Sequence, residues 1–125
     1  MKPDIRSGID VESVERIAKA LNRSGDRLLN RLFTEEEVRY RSDTEFLTGR
    51  FAAKEAFFKA LGTGVSDGVR WHDLEVPAQD GQPLRVVVRG RSKELLGSRR
   101  VFVSVSSTPE KAAAFVLIAG SEGQV

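Results

Sequence analysis

Apolar residues recur along this 125-residue chain in two different rhythms. From Ile5 to Val14 they alternate loosely, with Ile9, Val11 and Val14 as apolar members, which predicts a short strand over 7–11 running into a helix near Val14. That helix, Val14 to Leu21, is expected to stop near Gly25, and Asp26 can cap a second turn or helix through Leu32. Thr34-Glu35-Glu36-Glu37 is a capping box, a Thr cap with Glu three residues on, so a short helix should follow to about Arg41. Asp43 or Thr44 then opens the longest helix, 45–61, ended by Gly62. Leu47, Phe51, Lys54, Phe58 and Leu61 fall on one stripe of it, mostly apolar, which should face the core.

Beyond this helix the rhythm shortens. Residues 62–68 read as a loop, Trp71 to Val76 as a strand, 79–83 as a turn and Leu84 to Val88 as the next strand. Arg91 to Leu96 reads as a short helix. Arg100 to Ser106 alternates, with Val101, Val103 and Val105 on one face. After a turn at 108–111, Ala112 to Ala119 is continuously apolar, which predicts a buried strand paired with its predecessor. With no repeat or linker, residues 1–125 are expected to form a single domain.

Composition narrows the chemistry. Apolar residues make up 40% and there are 11 glycines, enough for a packed core. Twenty basic against 18 acidic residues leave a net charge of +2, well short of a nucleic-acid coat. The absence of cysteine excludes a disulfide scaffold and a thiolate zinc site. A single histidine, His72, excludes a metal site built on two imidazoles, so any catalytic metal would be held by oxygen: magnesium, manganese or calcium. No apolar run approaches the roughly 18 residues of a membrane span, and no signal-peptide apolar region follows the N-terminus. A soluble, cytoplasmic protein is expected.

Within that frame a few charged residues stand out. Asp10 and Glu12 are two apart, so on a strand they share a face and can share a divalent cation, although a solvated strand edge places acids in the same way. Glu55 and Lys59 are four apart on the long helix, the spacing of a surface ion pair. Their surroundings, Phe51, Ala52, Ala53, Ala56, Phe57, Phe58 and Ala60, are unusually apolar for one. Gly62-Thr63-Gly64 follows, a loop whose amides could approach a phosphate, or a plain helix stop. Arginine outnumbers lysine 14 to 6, which suits bidentate recognition of phosphate and carboxylate. Arg16, Lys19, Arg23, Arg27 and Arg31 recur at spacings of three and four, a solvated face or a docking surface for an acidic partner, with Gly25 interrupting it. The 84–111 segment carries seven basic and two acidic residues without interleaved exposed aromatics, so nucleic-acid binding is not favoured.

Read together, these motifs resemble a known family. They are Gly8-Ile9-Asp10-Val11-Glu12 with Glu15-Arg16-Ile17, then Phe33-Thr34-x-x-Glu37, then the run from Gly49-Arg50-Phe51-Ala52-Ala53-Lys54-Glu55 through Lys59 to Gly62-Thr63-Gly64. Trp71-x-Asp73-Leu74-Glu75-Val76 and Gly81-x-Pro83 follow in order. Residues 5–119 are similar to the small holo-acyl-carrier-protein synthases, one type of 4′-phosphopantetheinyl transferase. The resemblance implies an α+β fold with one long central helix on a mainly antiparallel sheet, assembled as a homotrimer with each site between neighbouring chains. It implies transfer of the 4′-phosphopantetheine arm of coenzyme A to a serine of an acidic apo-acyl carrier protein, releasing adenosine 3′,5′-bisphosphate. Magnesium would be held by Asp10 and Glu55, with Glu12 either a third ligand or a solvated acid. Lys59 would lie against the phosphates, and Arg50, Gly62, Gly64, Gly81, Pro83 and Ser107 would line the coenzyme site. Arg16, Lys19, Arg23 and Arg27 would meet the acidic carrier.

The chain departs from the family at two places. Ser107 stands where a histidine that helps hold the coenzyme phosphate is expected, so affinity is either weakened or rescued by Arg99 or Arg100. The acid usually found three residues after the metal Asp is replaced by Ser13, with Glu12 one position earlier. A homologue that binds carrier or coenzyme without catalysis is therefore the alternative reading. A basic nucleic-acid-binding module is a remote one.

Overall fold

The computed structural model describes residues 3–77 and 85–121. A strand, β1 (Pro3–Ser13), runs directly into helix α1 (Val14–Leu32). Ser13 makes the change of direction, its side chain accepting from the Arg16 amide. Gly25, at φ 59° and ψ −146°, breaks α1 where a glycine was expected to stop it, and the chain resumes helix through Leu32. Helix α2 (Glu35–Tyr40) begins in the expected capping box: Thr34 accepts from the Glu37 amide and Glu37 accepts from the Thr34 amide.

Helix α3 (Thr44–Leu61) is capped by Asp43, which accepts from the Phe46 amide, and closed by Gly62 in the left-handed region at φ 89°. Its expected stripe is inside, and so is most of the rest of its surface, including Ala52, Ala53, Ala56, Phe57 and Ala60. It lies against a three-stranded antiparallel sheet of order β1-β5-β4, where β4 is Arg100–Ser107 and β5 is Lys111–Ser121. Ala114, Val116 and Ile118 of β5 and Val101, Val103 and Val105 of β4 meet it in the main core. A second apolar cluster of Leu32, Phe33, Phe46 and Leu47 fixes α1 and α2 to the start of α3.

Four expectations need correcting. The first strand extends well beyond 7–11, because every residue from Pro3 to Ser13 pairs with β5. The stretch 71–76 is a 3-10 turn (Trp71–Asp73) followed by the short strand β2 (Leu74–Glu75), paired with β3 (Val87–Val88). The turn forms because Asp73 folds back to accept from the Arg70 amide. The same carboxylate takes the Ser92 amide and hydroxyl, and so caps α4 (Gly90–Leu96). The strand expected over 84–88 forms only at Val87–Val88, while residue 84 and the turn expected at 79–83 lie outside the described residues. Finally, β5 is buried on one face only. Phe115 is 44% exposed on the other, beside exposed Ile9 and Val11 of β1.

Candidate active site

Gly8 sets the site. A Cβ there would stand 2.0 Å from the Ala56 carbonyl oxygen, so only glycine lets β1 lie this close to α3. Alternation along the strand puts Asp10 and Glu12 on the face of Gly8, toward the helix, and turns Ile9 and Val11 outward. Both carboxylates are about nine-tenths buried. Glu55 and Lys59, one helical turn apart, meet them from α3. Lys59 does not pair with Glu55 as the four-residue spacing suggested. Its Nζ donates to Asp10 Oδ1 at 2.9 Å and to the Ile9 carbonyl at 3.1 Å. Arg16 Nη2 reaches Glu12 Oε1 at 3.4 Å.

Electrostatics follow from the geometry. Burial, then a hydrogen bond and the negative charge of Asp10, push the Glu12 carboxyl up to about 7, against the pull of Arg16. Burial and Asp10 likewise raise Glu55, opposed by Lys59 and Arg16. The hydrogen bond to Asp10 raises Lys59. Asp10 Oδ2 is buried and has no hydrogen-bond partner. Three acids thus face two cations, and one buried oxygen has no hydrogen-bond partner among the described residues. That is the donor set of a hard divalent cation. Among the described residues no group of three Asp, Glu or His could hold a metal alone. Magnesium does not need one, since it takes one or two carboxylates and completes its shell with water and phosphate oxygens.

The remaining candidates are placed less uniformly. Gly62 and Thr63 spend their amides on the last carbonyls of α3, so they do not form a phosphate cradle; Gly64, at φ 61°, keeps its amide free among the described residues. Arg50 is 5% exposed and stacks on the Phe46 ring at 4.2 Å, its Nε without a partner. Its charged and ionisable neighbours are Glu37, Tyr40, Arg41 and Lys54, so the structure does not bring it together with Asp10, Glu55 and Lys59. Ser107 donates its hydroxyl to Glu45 Oε2 at 2.7 Å, which leaves no proton for a phosphate. Arg99 cannot compensate. It donates to the Leu95 and Leu96 carbonyls and to Asp4, pinning the end of α4 to β1. Arg100 is exposed and stacks on Phe102 at 5.2 Å. Gly81 and Pro83 lie outside the described residues. On α1, Arg16 and Lys19 are paired with Glu12 and Glu15, whereas Arg23 and Arg27 are exposed without ion pairs among the described residues.

Sequence reasoning placed Lys54 in the core stripe without naming its partner. Lys54 is fully buried and donates to Glu37 Oε1 at 3.0 Å, to the Leu74 carbonyl at 2.5 Å and to the Trp71 carbonyl at 3.0 Å. Glu37 Oε2 takes the Val76 amide at 2.9 Å. A lysine at a core position was itself the signal, because a buried ammonium requires a carboxylate and carbonyls around it.

Comparison with known proteins places the chain in a family. The family model of the 4′-phosphopantetheinyl transferase superfamily matches residues 6–116. The chain belongs to that superfamily. Among curated relatives, a holo-[acyl-carrier-protein] synthase of Koribacter versatilis is 43% identical over 119 residues, covering 90% of this chain and 95% of the relative. One of Desulforudis audaxviator is 42% identical over 125 residues, covering 94% and 95%. Among solved structures, a holo-(acyl-carrier-protein) synthase from Bacillus anthracis in complex with CoA (3′,5′-ADP) superposes with TM-score 0.76 at 34% identity, over 93% of this chain and 96% of that one. The enzyme from Neisseria meningitidis gives 0.79 at 29% identity, over 90% and 96%. The α+β fold implied by the superfamily resemblance is the one observed.

Proposed function

We propose that this superfamily member is a holo-acyl-carrier-protein synthase, transferring the 4′-phosphopantetheine arm of coenzyme A to a serine of apo-acyl carrier protein. The observation that carries the reading is the buried seam between β1 and α3, where Asp10, Glu12 and Glu55 face Lys59 and Asp10 Oδ2 waits without a donor. In the reaction the serine oxygen bonds to the β-phosphorus, the bond to the bridging oxygen breaks, and adenosine 3′,5′-bisphosphate leaves. Asp10 and Glu55 would hold magnesium, which would supply charge neutralisation at the phosphate oxygens. Lys59, half exposed and anchored by Asp10, presents a fixed ammonium toward the same anion. Gly64, five residues further along the chain, has an amide free among the described residues. The exposed arginines of α1, Arg23 and Arg27, suit an acidic carrier, with Arg16 and Lys19 at the end nearest the carboxylates. A cytoplasmic setting belongs to this reading; among the described residues no helix is long and apolar enough to cross a membrane.

The apolar outer face of the sheet supports assembly into a homotrimer. Ile5, Ile9 and Val11 of β1 are 71%, 62% and 60% exposed, and Phe115 and Phe102 extend the patch over β5 and β4. So much contiguous apolar surface is unusual on a monomer. The Ser107–Glu45 hydrogen bond favours one other reading, a homologue with impaired catalysis. One assay separates them. Incubated with coenzyme A, magnesium and apo-carrier, the protein should add the pantetheine arm, seen as a mass gain on the carrier. Glu55→Gln should lose this turnover by at least about a hundredfold while keeping its fold by circular dichroism. No mass gain at saturating coenzyme would sink the enzyme reading, and wild-type turnover in Glu55→Gln would remove Glu55 from the metal site.

A further inference from the structure

Helix α1 breaks at Gly25, whose φ of 59° and ψ of −146° are open in practice only to glycine. The apolar pattern does not ask for the break. At roughly 100° per residue, Ile17, Leu21, Leu28 and Leu32 would stay within about 60° of one another in an unbroken helix. Nor does a crowded neighbour force it, since a Cβ on Gly25 would meet no atom within 4 Å. Residues 22–27 are all exposed. A cavity of about 370 Å³ lies against the break, between Leu21 and Leu29 of α1 and Thr44 and Leu47 of α3. On either side the helix is held. Val14 donates its amide to the Glu110 carbonyl at 3.0 Å, and Ile17 is buried. Beyond the break, Leu32 belongs to the second apolar cluster, and the Asn30 carbonyl meets His72 Nε2 at 2.6 Å. The break is a joint between two anchored pieces.

What the joint bends is the cationic stripe. Arg16, Lys19 and Arg23 stand before it, Arg27 and Arg31 after it. In an unbroken helix Arg16, Arg23 and Arg27 would lie within about 40° of one another, as one straight line. Arg23, Arg27 and Arg31 are exposed and make no ion pair among the described residues. Arg16 stands at the end nearest the carboxylates, tied to Glu12. Resting on the reading of this protein as a carrier-modifying enzyme, we infer that Gly25 determines recognition of the acidic carrier, by setting the angle between two cationic pieces that the carrier meets together. Net charge alone draws in any acidic protein, whereas the placement of charges decides which one docks in register. Gly25 has no side chain to touch either substrate. It is a positioning residue, and its effect falls on KM for the carrier rather than on KM for coenzyme A or on kcat.

The test is steady-state transfer in magnesium buffer, with apo-acyl carrier protein and coenzyme A varied in turn. Gly25→Ala adds one methyl group in open space and changes no charge, but it disfavours the break. KM for the carrier should rise about tenfold, with KM for coenzyme A and kcat unchanged. Ser24→Ala, beside it, should change nothing. With Gly25 in place, Arg23→Ala and Arg27→Ala should each raise KM for the carrier about fivefold. In the Gly25→Ala background Arg27→Ala should add nothing, because the second piece no longer meets the carrier. An unchanged carrier KM in Gly25→Ala overturns the inference. So does an equal rise in both KM values, which marks a general structural loss, and so do additive losses for Gly25→Ala and Arg27→Ala. The arginine variants keep the glycine, so they test the two-piece contact even where Gly25→Ala fails to fold; a silent Arg23→Ala or Arg27→Ala overturns it. Wild type that transfers nothing to the carrier overturns the functional reading itself. A wild type that transfers normally beside an unaffected Gly25→Ala overturns this inference alone.

Discussion

One oxygen of Asp10 accepts from Lys59, and the other is buried with no hydrogen-bond partner among the described residues, while Glu12 and Glu55 both feel the Asp10 charge. Glu12 registers that imbalance, with its carboxyl held up to about 7 by burial and by Asp10. The unfolded chain binds this proton only near 4.5. Between those values the folded state carries more protons than the unfolded state, so the stability contributed by this group is present at the acid end and is lost as pH rises toward about 7. Metal-free protein should therefore show a thermal midpoint that falls across that window, and Glu12→Gln should flatten the fall. Parallel curves for the two proteins in chelator would remove Glu12 as the titrating group. Added magnesium should displace the proton and flatten the wild-type curve too.

Helix α3 does two jobs with adjacent residues. Glu55 belongs to the seam with β1. Lys54, turned inward, ties α2, α3 and the 71–76 segment together through Glu37 and two carbonyls. Removing one member of a fully buried pair strands the other charge and typically costs about 3–5 kcal/mol. Lys54→Met and Glu37→Gln should each destabilise by about that amount in chemical denaturation. The double variant should lose clearly less than the sum, because no charge is left uncompensated; additive losses would show that the two side chains do not act as a pair. The helix and its caps were legible in sequence because Asp43, Gly62 and the stripe are local signals. The 71–76 turn was not, because its shape depends on Asp73 capping α4, which begins at Gly90.

The whole chain buries one face of its sheet and leaves the other apolar and open. In solution it should run at three times the chain mass of 13.8 kDa by light scattering. Ile9→Glu or Phe115→Lys should lower that mass, since a charge would be buried in an apolar contact. A wild-type monomer at micromolar concentration would overturn the oligomer. The same open face explains the misjudged burial of the last strand. Ala112 to Ala119 reads as buried on both sides because both sides are apolar, and in a single chain only the α3 side is covered.

Local chemistry along the chain was enough for the helix caps, the glycine stops, the strand alternation and the acid pair at 10 and 12, since each depends on neighbours within a few residues. The pairing of charges was settled only by folding. Lys59 took Asp10 rather than Glu55, Lys54 found Glu37, Ser107 gave its proton to Glu45, and Arg99 was consumed by a helix end and Asp4. Each choice joins groups at least 17 residues apart except the helix-end carbonyls of Arg99, so it follows from how closely β1 can approach α3 at Gly8 and from how the layers pack around that contact, and no local spacing encodes it.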